Sequence, residues 1–218
     1  MNATLEVKTF VFNPFMENTY LLWDGRGEAV VIDPGCHDAA EEEEIAAFIR
    51  ERGLVLRHVL LTHGHLDHVC GTPFFAREFG LRPLLHPADE EVFRTVPQQG
   101  EIFSFPVNAL PGMVPLTQER VTWGDTALEV FHLPGHTPGS VGYYHRGAGL
   151  LFPGDVIFNG SIGRTDLPGG DYDVLRRSIA EGLVAALPPE TRIFPGHGPD
   201  TTLEREVRDN PFLDFLRP

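Results

Sequence analysis

Four side chains that can bind metal lie within one six-residue window of the chain, in the segment Thr62-His63-Gly64-His65-Leu66-Asp67-His68. Histidine accounts for 10 of the 218 residues. Three histidines and one aspartate at fixed places in this window are therefore expected by chance on the order of once in a thousand. Neutral imidazole and carboxylate are ligands that Zn(II), Fe(II) and Mn(II) accept, whereas thiolate-rich sites are typical of structural zinc. The segment predicts a metal centre.

The spacing of these four ligands indicates how they are presented. In an extended segment the side chains alternate between two sides, so His63 and His65 are expected to face the same side. The chain then turns, and Asp67 is expected to open a helix that carries His68. Two faces with two ligands each predict two metal ions.

Three more candidate ligands follow Pro-Gly pairs further along the chain. In each case a short apolar run ends in Pro-Gly, and the next residue is His136, Asp155 or His197. Proline presets φ at the second position of a type II turn and glycine supplies the positive φ at the third, so each turn aims its fourth residue in a defined direction. The alternative is that Pro-Gly simply ends a strand. Because histidine or aspartate follows in all three places, we interpret these residues as ligands.

The predicted secondary structure repeats one pattern twice along the chain. The first four predicted strands are Leu5 to Phe12, Thr19 to Trp23, Ala29 to Ile32 and Leu54 to Leu61, and the later four are Ala127 to Phe131, Ser140 to Tyr144, Gly149 to Phe152 and Arg192 to Phe194. Helices are predicted after Asp38, from Thr72 to Gly80, from Tyr172 to Leu183, and after the Thr201-Thr202 pair. Meander, helix, strand and helix thus occur twice. We expect two similar halves that pack sheet to sheet with their helices outside.

Two segments carry more specific structural expectations. The run from Leu54 to Leu61 is continuous and apolar, which is typical of a strand buried on both faces. The region from Gln98 to Gln118 is rich in Pro and Gly without clear periodicity, and we expect it to be a loop near the site.

Composition limits the classes of function that fit this chain. The hydrophobic content of 42% is enough to bury the core of one domain spanning residues 1–218. A net charge of -14 without a Lys or Arg cluster argues against nucleic acid as a partner. Two cysteines, Cys36 and Cys70, are too few for a disulfide framework, and neither a signal peptide nor an apolar run of about 18 residues is present. We expect a soluble cytoplasmic protein that does not bind anionic macromolecules; the oligomeric state stays open.

The segments THGHLDH, GHTPGS, FPGD and PGHG resemble the motifs of the metallo-β-lactamase superfamily, and the resemblance covers nearly the whole chain. The stretch GRTDLPGG and the ending NPFL are similar to compact glyoxalase II-like hydrolases of bacteria. This resemblance implies an α+β fold, a four-layer αβ/βα sandwich with a dinuclear centre between its sheets. In the family pattern one metal is held by His63, His65 and His136, the other by Asp67, His68 and His197, with Asp155 as the bridge and Asp33 as an anchor nearby.

The same resemblance implies a thioester hydrolase with a small-molecule substrate derived from glutathione, such as S-lactoylglutathione. A hydroxide that bridges the two metals would attack the thioester carbonyl, with Asp67 and Asp155 as the catalytic carboxylates. Zinc is the first candidate for both ions, and iron and manganese also fit these ligands. Arg164 and Tyr143 are candidate substrate contacts. Their structural alternatives are a pair with Asp166 for Arg164 and packing for Tyr143.

Two other functions remain open on the sequence alone. Persulfide dioxygenases of the same superfamily also carry a GRTD segment, and they use one Fe(II) held by the equivalents of His63, His136 and Asp155. The other four candidate ligands do not exclude this reaction on glutathione persulfide. A third interpretation is a metal-binding module without catalysis.

Overall fold

The computed structural model describes residues 5–216, which form two six-stranded mixed sheets and one separate hairpin. The first sheet has its strands in chain order, namely β1 (Glu6–Phe12), β2 (Glu17–Trp23), β3 (Glu28–Ile32), β4 (Val55–Leu60), β5 (Pro83–Leu85) and β6 (Val114–Pro115). The later strands are β7 (Arg120–Trp123), β8 (Thr126–His132), β9 (Val141–His145), β10 (Leu150–Gly154), β11 (Ile157–Phe158), β12 (Ser161–Ile162), β13 (Arg192–Pro195) and β14 (Thr201–Thr202). Strands β11 and β12 form the hairpin, and the others form the second sheet in the order β14-β13-β10-β9-β8-β7.

The helices lie between the strands and at the end of the chain. They are α1 (Ala39–Glu51), α2 (Leu66–Val69), α3 (Thr72–Phe79), α4 (Glu90–Arg94), α5 (Val96–Phe103), α6 (Tyr172–Arg177), which continues as a π-helical segment (Ser178–Val184), and α7 (Leu203–Asp209). Asp38 caps α1 by accepting hydrogen bonds from the backbone of Ala40 and Glu41, as the sequence predicts. No helix within residues 5–216 is long and apolar enough to cross a membrane.

The two sheets repeat the same local topology, which confirms the prediction of two similar halves. In the first half the antiparallel strands β1, β2 and β3 are followed by α1 and by β4, which lies parallel to β3. In the second half β7 to β10 are antiparallel, and α6 leads to β13, which lies parallel to β10. The helix in each half makes the crossover between parallel strands.

The apolar side chains fill three layers, one between the sheets and one on each outer face. The central layer joins both sheets and includes Tyr20, Leu22, Ile32, Leu60, Trp123, Leu128, Tyr143 and Phe152. Outside the first sheet, Ile45, Ile49 and Phe75 of α1 and α3 pack on its far face. Outside the second sheet, Leu175, Ile179 and Leu183 of α6 and its π-helical continuation do the same. The order helix, sheet, sheet, helix is the α+β sandwich that the sequence predicts.

The prediction of a loop from Gln98 to Gln118 is wrong in part, because residues 98–103 belong to α5 and β6 lies at Val114–Pro115. Helix α5 contains Gly100, a poor helix former, so its local pattern reads as irregular. In the fold, a Cβ at Gly100 would lie 2.7 Å from the carbonyl oxygen of Phe105, and the Phe105 amide donates to Gly100 at 2.8 Å. This close approach requires a glycine at position 100. It also holds the residues that follow α5 against the helix.

Strand β4 and helix α2 differ in smaller ways from the expectation. Only Val59 and Leu60 of β4 are fully buried, and the first four residues alternate with exposed positions, so the strand is not covered on both faces along its whole length. Helix α2 begins at Leu66 rather than at Asp67, with His65 at its N-cap position. The Asp67 carboxylate does not cap the helix and faces the neighbouring histidines instead.

Candidate metal centre

All seven candidate ligands lie at one end of the sandwich, each just beyond the carboxyl end of a strand. His63, His65, Asp67 and His68 follow β4, and His136, Asp155 and His197 follow β8, β10 and β13. Strands β8, β10 and β13 run in the same direction within the second sheet, because β8 and β10 are both antiparallel to β9 and β13 is parallel to β10. Their carboxyl ends therefore meet at one edge, opposite the end of β4.

Three imidazoles form the first ligand group, His63, His65 and His136. The Nε2 atom of His136 lies 2.9 Å from Nδ1 of His65 and 3.3 Å from Nε2 of His63. One nitrogen from each ring lies within 4.8 Å of the other two. His63 and His136 are buried, at 1% and 2% exposure. Three nitrogens that converge in this way can hold one divalent cation.

One carboxylate and two imidazoles form the second ligand group, Asp67, His68 and His197. The Oδ2 atom of Asp67 lies 3.1 Å from Nε2 of His197 and 3.7 Å from Nε2 of His68. The Nε2 atoms of the two rings are 3.3 Å apart. This group also has its ligand atoms within 4.8 Å of one another. Sequence spacing predicted two ligands on each face, whereas the structure supplies a third to each from the second sheet.

Asp155 lies between the two groups and contacts both. Its Oδ2 atom is 3.6 Å from Nε2 of His136 and 3.6 Å from Nε2 of His197, and Oδ1 is 3.4 Å from Nε2 of His68. The Oδ1 atom is buried and has no hydrogen-bond partner within residues 5–216. A buried carboxylate oxygen that accepts no hydrogen bond is costly, and a cation would satisfy it. The residues present therefore fit metal ions, and the cluster can hold them.

Hydrogen bonds on the outer nitrogens orient the imidazole rings toward the centre. The Nδ1 atom of His136 lies 2.8 Å from the Arg164 carbonyl oxygen, and Nδ1 of His197 lies 3.2 Å from that of Phe15. A carbonyl oxygen only accepts, so each Nδ1 carries the proton and each Nε2 keeps its lone pair for a cation. Metal-ligating histidines are held in this way in general.

Asp33 fixes two further rings from behind. Its carboxylate accepts hydrogen bonds from the Thr62 backbone at 2.7 Å and the Thr62 hydroxyl at 2.6 Å, and Nδ1 of His68 donates to it at 3.0 Å. The Thr62 hydroxyl in turn lies 3.0 Å from Nδ1 of His63. Asp33 has a left-handed backbone with φ of 50°, a conformation that aspartate adopts more readily than most residues other than glycine. In this conformation one carboxylate faces both ligand groups, the anchoring role that the family resemblance implies.

The protonation of the metal-free cluster differs between its two groups. Burial lowers the pKa of His63, and burial together with His136 lowers the pKa of His65 to about 3. Burial also acts to lower the pKa of His68, but the carboxylates of Asp155 and Asp67 outweigh it and raise that pKa well above its usual value. The same balance, with Asp67 as partner, raises the pKa of His197. His63 and His65 are therefore neutral, whereas His68 and His197 hold protons where a cation would bind.

The two carboxylates of the centre are anionic for a related reason. Burial raises the pKa of Asp67, but His68 and His197 more than offset that effect and lower it. His68 and His136 together hold the pKa of Asp155 well below its usual value in spite of burial. Both carboxylates are therefore ionised at neutral pH and can bind cations.

The three Pro-Gly turns position their ligands, but not all in the predicted way. Gly135 and Gly154 have the positive φ that the sequence predicts for these glycines, 131° and 54°. Gly196 does not have positive φ. A Cβ at Gly196 would collide with Oδ1 of Asp155 and lie 2.7 Å from Cε1 of His68. The glycine is required there by the close approach of two ligands rather than by a turn conformation.

The two candidate substrate residues have different positions. The Arg164 side chain is exposed and forms two hydrogen bonds to the Asp166 carboxylate, at 2.7 and 2.8 Å. Its backbone carbonyl orients His136, which the sequence did not predict. Tyr143 is fully buried between the sheets, and its hydroxyl donates to the Leu61 carbonyl at 2.8 Å. It therefore has no surface to offer a substrate, because alternation along β9 turns it into the core.

Asp89 joins the two halves of the site and was not predicted from sequence. Its buried carboxylate accepts hydrogen bonds from the Gly64 backbone at 2.8 Å, the Thr137 hydroxyl at 2.7 Å and the Gly139 backbone at 2.6 Å. A Cβ at Gly64 would lie 2.9 Å from the backbone nitrogen of Phe93, so the loop of β4 must approach this segment closely. No local signal reveals Asp89, because its partners come from two distant loops.

A second buried carboxylate holds the hairpin of β11 and β12, which precedes Arg164. Glu206 accepts hydrogen bonds from the Thr201 hydroxyl at 2.5 Å, the Gly160 backbone at 2.8 Å and the Asn210 side chain at 2.9 Å. Asn210 also donates to the Ser161 carbonyl at 2.9 Å. Helix α7 thereby fixes the hairpin of β11 and β12 beside the metal centre. The Asn210-Pro211 segment gave only a family resemblance and no hint of this contact.

The fold and the ligand cluster together define a metal-binding protein of the two-sheet sandwich class. The family model of the metallo-β-lactamase superfamily matches residues 12–197, and the chain belongs to this superfamily. It is 37% identical over 214 residues to hydroxyacylglutathione hydrolase GloC of Haemophilus influenzae, covering 96% of this chain and 99% of the relative.

Solved structures give the same result for the fold. The structure of TTHA1623 in a di-iron-bound form superposes with a TM-score of 0.85 at 39% identity, covering 95% of this chain and 100% of the other. The structure of BLEG-1 B3 metallo-β-lactamase superposes with a TM-score of 0.86 at 33% identity, covering 95% and 99%. The expected α+β sandwich is thus confirmed, and metal ions are the cofactors that its residues bind.

Proposed function

We propose that this protein is a dinuclear metallohydrolase that cleaves S-acylglutathione thioesters, with S-lactoylglutathione as the first substrate to test. The observation that carries the proposal is Asp155, whose carboxylate contacts both ligand groups and whose Oδ1 has no hydrogen-bond partner within the described residues. One cation would be held by His63, His65 and His136, and a second by Asp67, His68 and His197, with Asp155 shared. The similarity to GloC supports the substrate class.

Zinc is our first candidate for both ions, and iron and manganese fit the same imidazole and carboxylate ligands. The di-iron form of TTHA1623, a protein 39% identical to this one, supports both a dinuclear occupancy and iron as a candidate. Divalent cations in this cluster would lower the pKa of a coordinated water to about 7 or below and polarise the thioester carbonyl.

The residues of the chain orient the reaction around that chemistry. Asp67, through the oxygen that faces His197, is placed to accept a hydrogen bond from the attacking water and so direct it. The water oxygen forms the new bond to the carbonyl carbon, the C–S bond breaks, and the thiol leaves as a thiolate that is then protonated. Arg164, exposed beside His136, is our candidate contact for the glutathione carboxylates.

The cysteines offer no competing nucleophile. Cys36 and Cys70 are buried, and burial raises the pKa of both thiols well above the usual value. A thiolate, not a thiol, is the attacking form, so neither cysteine suits covalent catalysis. Water is therefore the nucleophile of the proposal.

A second candidate is a mononuclear Fe(II) persulfide dioxygenase acting on glutathione persulfide. The observation that favours it is the set formed by His63, His136 and Asp155, two imidazoles and one carboxylate whose nearest ligand atoms lie 3.3 and 3.6 Å from Nε2 of His136. Such a set is typical of Fe(II) oxygenases. In this case the second ligand group would carry no metal.

One set of assays separates these functions. Protein purified without added metal is analysed for zinc, iron and manganese, and is then tested for thiol release from S-lactoylglutathione without oxygen and for oxygen uptake with glutathione persulfide. Two metals per chain and anaerobic thiol release support the hydrolase. Oxygen uptake with one iron per chain and no thiol release would replace it with the dioxygenase. Bound metal without either reaction would leave a metal-binding module.

A further inference from the structure

A cluster of exposed apolar side chains stands beside the second ligand group. We define this apolar wall as Phe15 and Met16 of the loop between β1 and β2, together with Ile102 and Phe103 at the end of α5. Met16, Ile102 and Phe103 are 67%, 77% and 50% exposed. The Phe15 and Phe103 rings meet edge to face with centroids 5.5 Å apart, so the two segments form one surface.

Three hydrogen bonds attach this wall to the metal centre. The Phe15 carbonyl oxygen lies 3.2 Å from Nδ1 of His197. The Asn13 side chain, from the same loop, donates to the Asp67 carbonyl oxygen at 2.9 Å. The Gln99 side chain, from α5, accepts from the Leu66 backbone at 2.9 Å. Both segments of the wall are therefore fixed to residues that are ligands of the second group or adjoin them.

The backbone of the loop is strained where it presents Met16. Asn13 and Met16 both have left-handed conformations, with φ of 51° and 56°. Asparagine tolerates this region, whereas an unbranched side chain such as methionine adopts it rarely. Exposure of Met16 means that burial does not compensate locally. An exposed, flexible and apolar side chain that is held in an unfavourable conformation points to a binding role.

The wall and Arg164 adjoin different ligand groups of the metal centre. The wall is attached at Asp67 and His197, and the Arg164 backbone is attached at His136. None of the four wall side chains carries charge, whereas Arg164 is cationic and exposed. A thioester has two parts of different chemistry that meet at its carbonyl. The two surfaces fit one part each, with the carbonyl between them at Asp155.

We propose that the apolar wall binds the acyl group of the substrate and selects aliphatic or aromatic acyl chains over the short hydroxylated lactoyl group. This inference rests on the proposed thioester hydrolysis and names its substrate class more closely. Phe15 and Phe103 form the edge-to-face base, and Met16 and Ile102 supply adaptable contacts. Each methylene that the wall buries is expected to raise kcat/KM by a factor of about 4.

The first test compares S-acetyl-, S-butanoyl-, S-hexanoyl- and S-lactoylglutathione as substrates of the metal-loaded protein. We expect kcat/KM to rise at least about 10-fold from acetyl to hexanoyl, and hexanoyl to exceed lactoyl. Met16→Gln and Ile102→Gln should each reduce the ratio of hexanoyl to acetyl about 3-fold to 10-fold. A ratio near one in the wild type, or a ratio that both variants retain, would overturn the inference.

Val55→Gln is the matched control. Val55 is 49% exposed and begins β4 at the end of the strand opposite the metal ligands, so the same loss of exposed apolar surface occurs away from the site. It should leave the ratio unchanged. If Ile102→Gln instead converts a dimer to a monomer in light scattering without changing the ratio, the wall is an interface between two copies and the acyl assignment is wrong.

A binding measurement separates this inference from the proposed function. S-hexylglutathione and S-methylglutathione are thioethers that hydrolysis does not consume, and calorimetry gives their dissociation constants for the metal-loaded protein. We expect the hexyl compound to bind at least about 10-fold more tightly and Met16→Gln to remove most of this difference. If no acylglutathione is hydrolysed but this preference holds, the hydrolase proposal fails and the wall stands. If hydrolysis occurs without any preference, the wall alone is overturned.

Discussion

The two ligand groups of the metal centre have different chemistry, although each takes two side chains from residues 63–68 and one from a distant turn. The first group has three imidazoles, and burial lowers the pKa of its His63 and His65. The second has a carboxylate and two imidazoles, and the adjacent carboxylates raise the pKa of both rings. A cation that binds His63 and His65 meets neutral rings, whereas a cation that binds His68 and His197 must replace protons. We therefore expect two positions of unequal affinity.

The two ligand groups also differ in their surroundings. The first group is buried at His63 and His136 and is oriented by Thr62 and the Arg164 carbonyl. The second includes His197, whose side chain is 27% exposed and which adjoins the apolar wall. The first group is suited to retaining a metal and the second to meeting a substrate. Asp155 joins these two environments.

Removing Asp155 should have the largest effect, because its carboxylate contacts ligands of both groups. Asp155→Ala is expected to reduce kcat/KM for thioester hydrolysis by at least about a thousandfold and to lower the metal content of both groups. Elemental analysis and the thiol-release assay measure the two effects. Asp155→Asn keeps the size of the side chain and loses its charge. It should reduce kcat/KM and metal content nearly as much as Asp155→Ala. Full activity with both metals gone would end the proposal.

Removing one distant ligand from each group should then separate them. His197→Ala should leave one metal per chain in the three-imidazole group, and His136→Ala should weaken that group by more than about 100-fold in affinity. Cobalt substitution makes the distinction visible, since a site of nitrogen ligands and a site with carboxylate absorb differently. Identical spectra and stoichiometries for the two variants would contradict a division into unlike groups.

Acidification should release the metal of the second group first. His68 and His197 have raised pKa values in the metal-free chain, so protons compete for their Nε2 atoms from neutral pH downward. His65, with a pKa of about 3, loses its lone pair only in strong acid. Dialysis at stepwise lower pH should show two metals per chain falling to one, and the remaining metal should persist toward pH 4. Loss of both metals in a single step would contradict this order.

The stability of the metal-free protein should fall as the pH rises. A raised folded-state pKa means that protonation of His68 stabilises the fold, and this contribution is complete below the usual imidazole pKa near 6.5 and is lost as pH rises through the raised value. Bound metal replaces these protons and should remove the dependence. Thermal unfolding of chelator-treated and metal-loaded protein between pH 6 and 9 compares the two. A metal-free melting temperature that does not fall with rising pH would refute this.

The ligands were predictable because their types and local spacing are specific. His63, His65, Asp67 and His68 lie in one short segment, and the three Pro-Gly pairs end strands whose carboxyl ends the fold brings together. The twofold repeat of meander, helix and strand was also readable, because it depends on hydrophobic periodicity.

The supporting residues were not predictable because their roles arise only from distant contacts. Asp89 joins Gly64 to Thr137 and Gly139, and nothing near it in the chain indicates this. Helix α5 was not predicted because Gly100 weakens the helical pattern of the sequence. In the structure, the contact between Gly100 and Phe105 stabilises the end of this helix. Tyr143 was selected as a substrate contact from its residue type, whereas the register of β9 turns it into the core.

A smaller effect is expected at Asp33, which holds rings of both groups. Asp33→Asn keeps the shape of the side chain but offers a donor where Thr62 and His68 both donate. We expect metal affinity to fall about 10-fold to 100-fold, measured by competition with a coloured chelator. Because His68 contacts Asp33 directly and His63 contacts it through Thr62, the second group should weaken more than the first. Equal losses in both would mean that the Thr62 relay is as strong as the direct contact.

The smallest effect is expected at Tyr143, which tests whether the metal centre and the core beneath it are separable. Tyr143→Phe removes one buried hydrogen bond to the Leu61 carbonyl, which lies two residues before His63. The expected cost is about 1 kcal/mol in the free energy of unfolding, measured by denaturant titration. Metal content and KM should stay unchanged, because the hydroxyl is buried and bonds only to the backbone. A raised KM at normal metal content would instead give Tyr143 a part in substrate binding, through a movement of β4 that this hydrogen bond prevents.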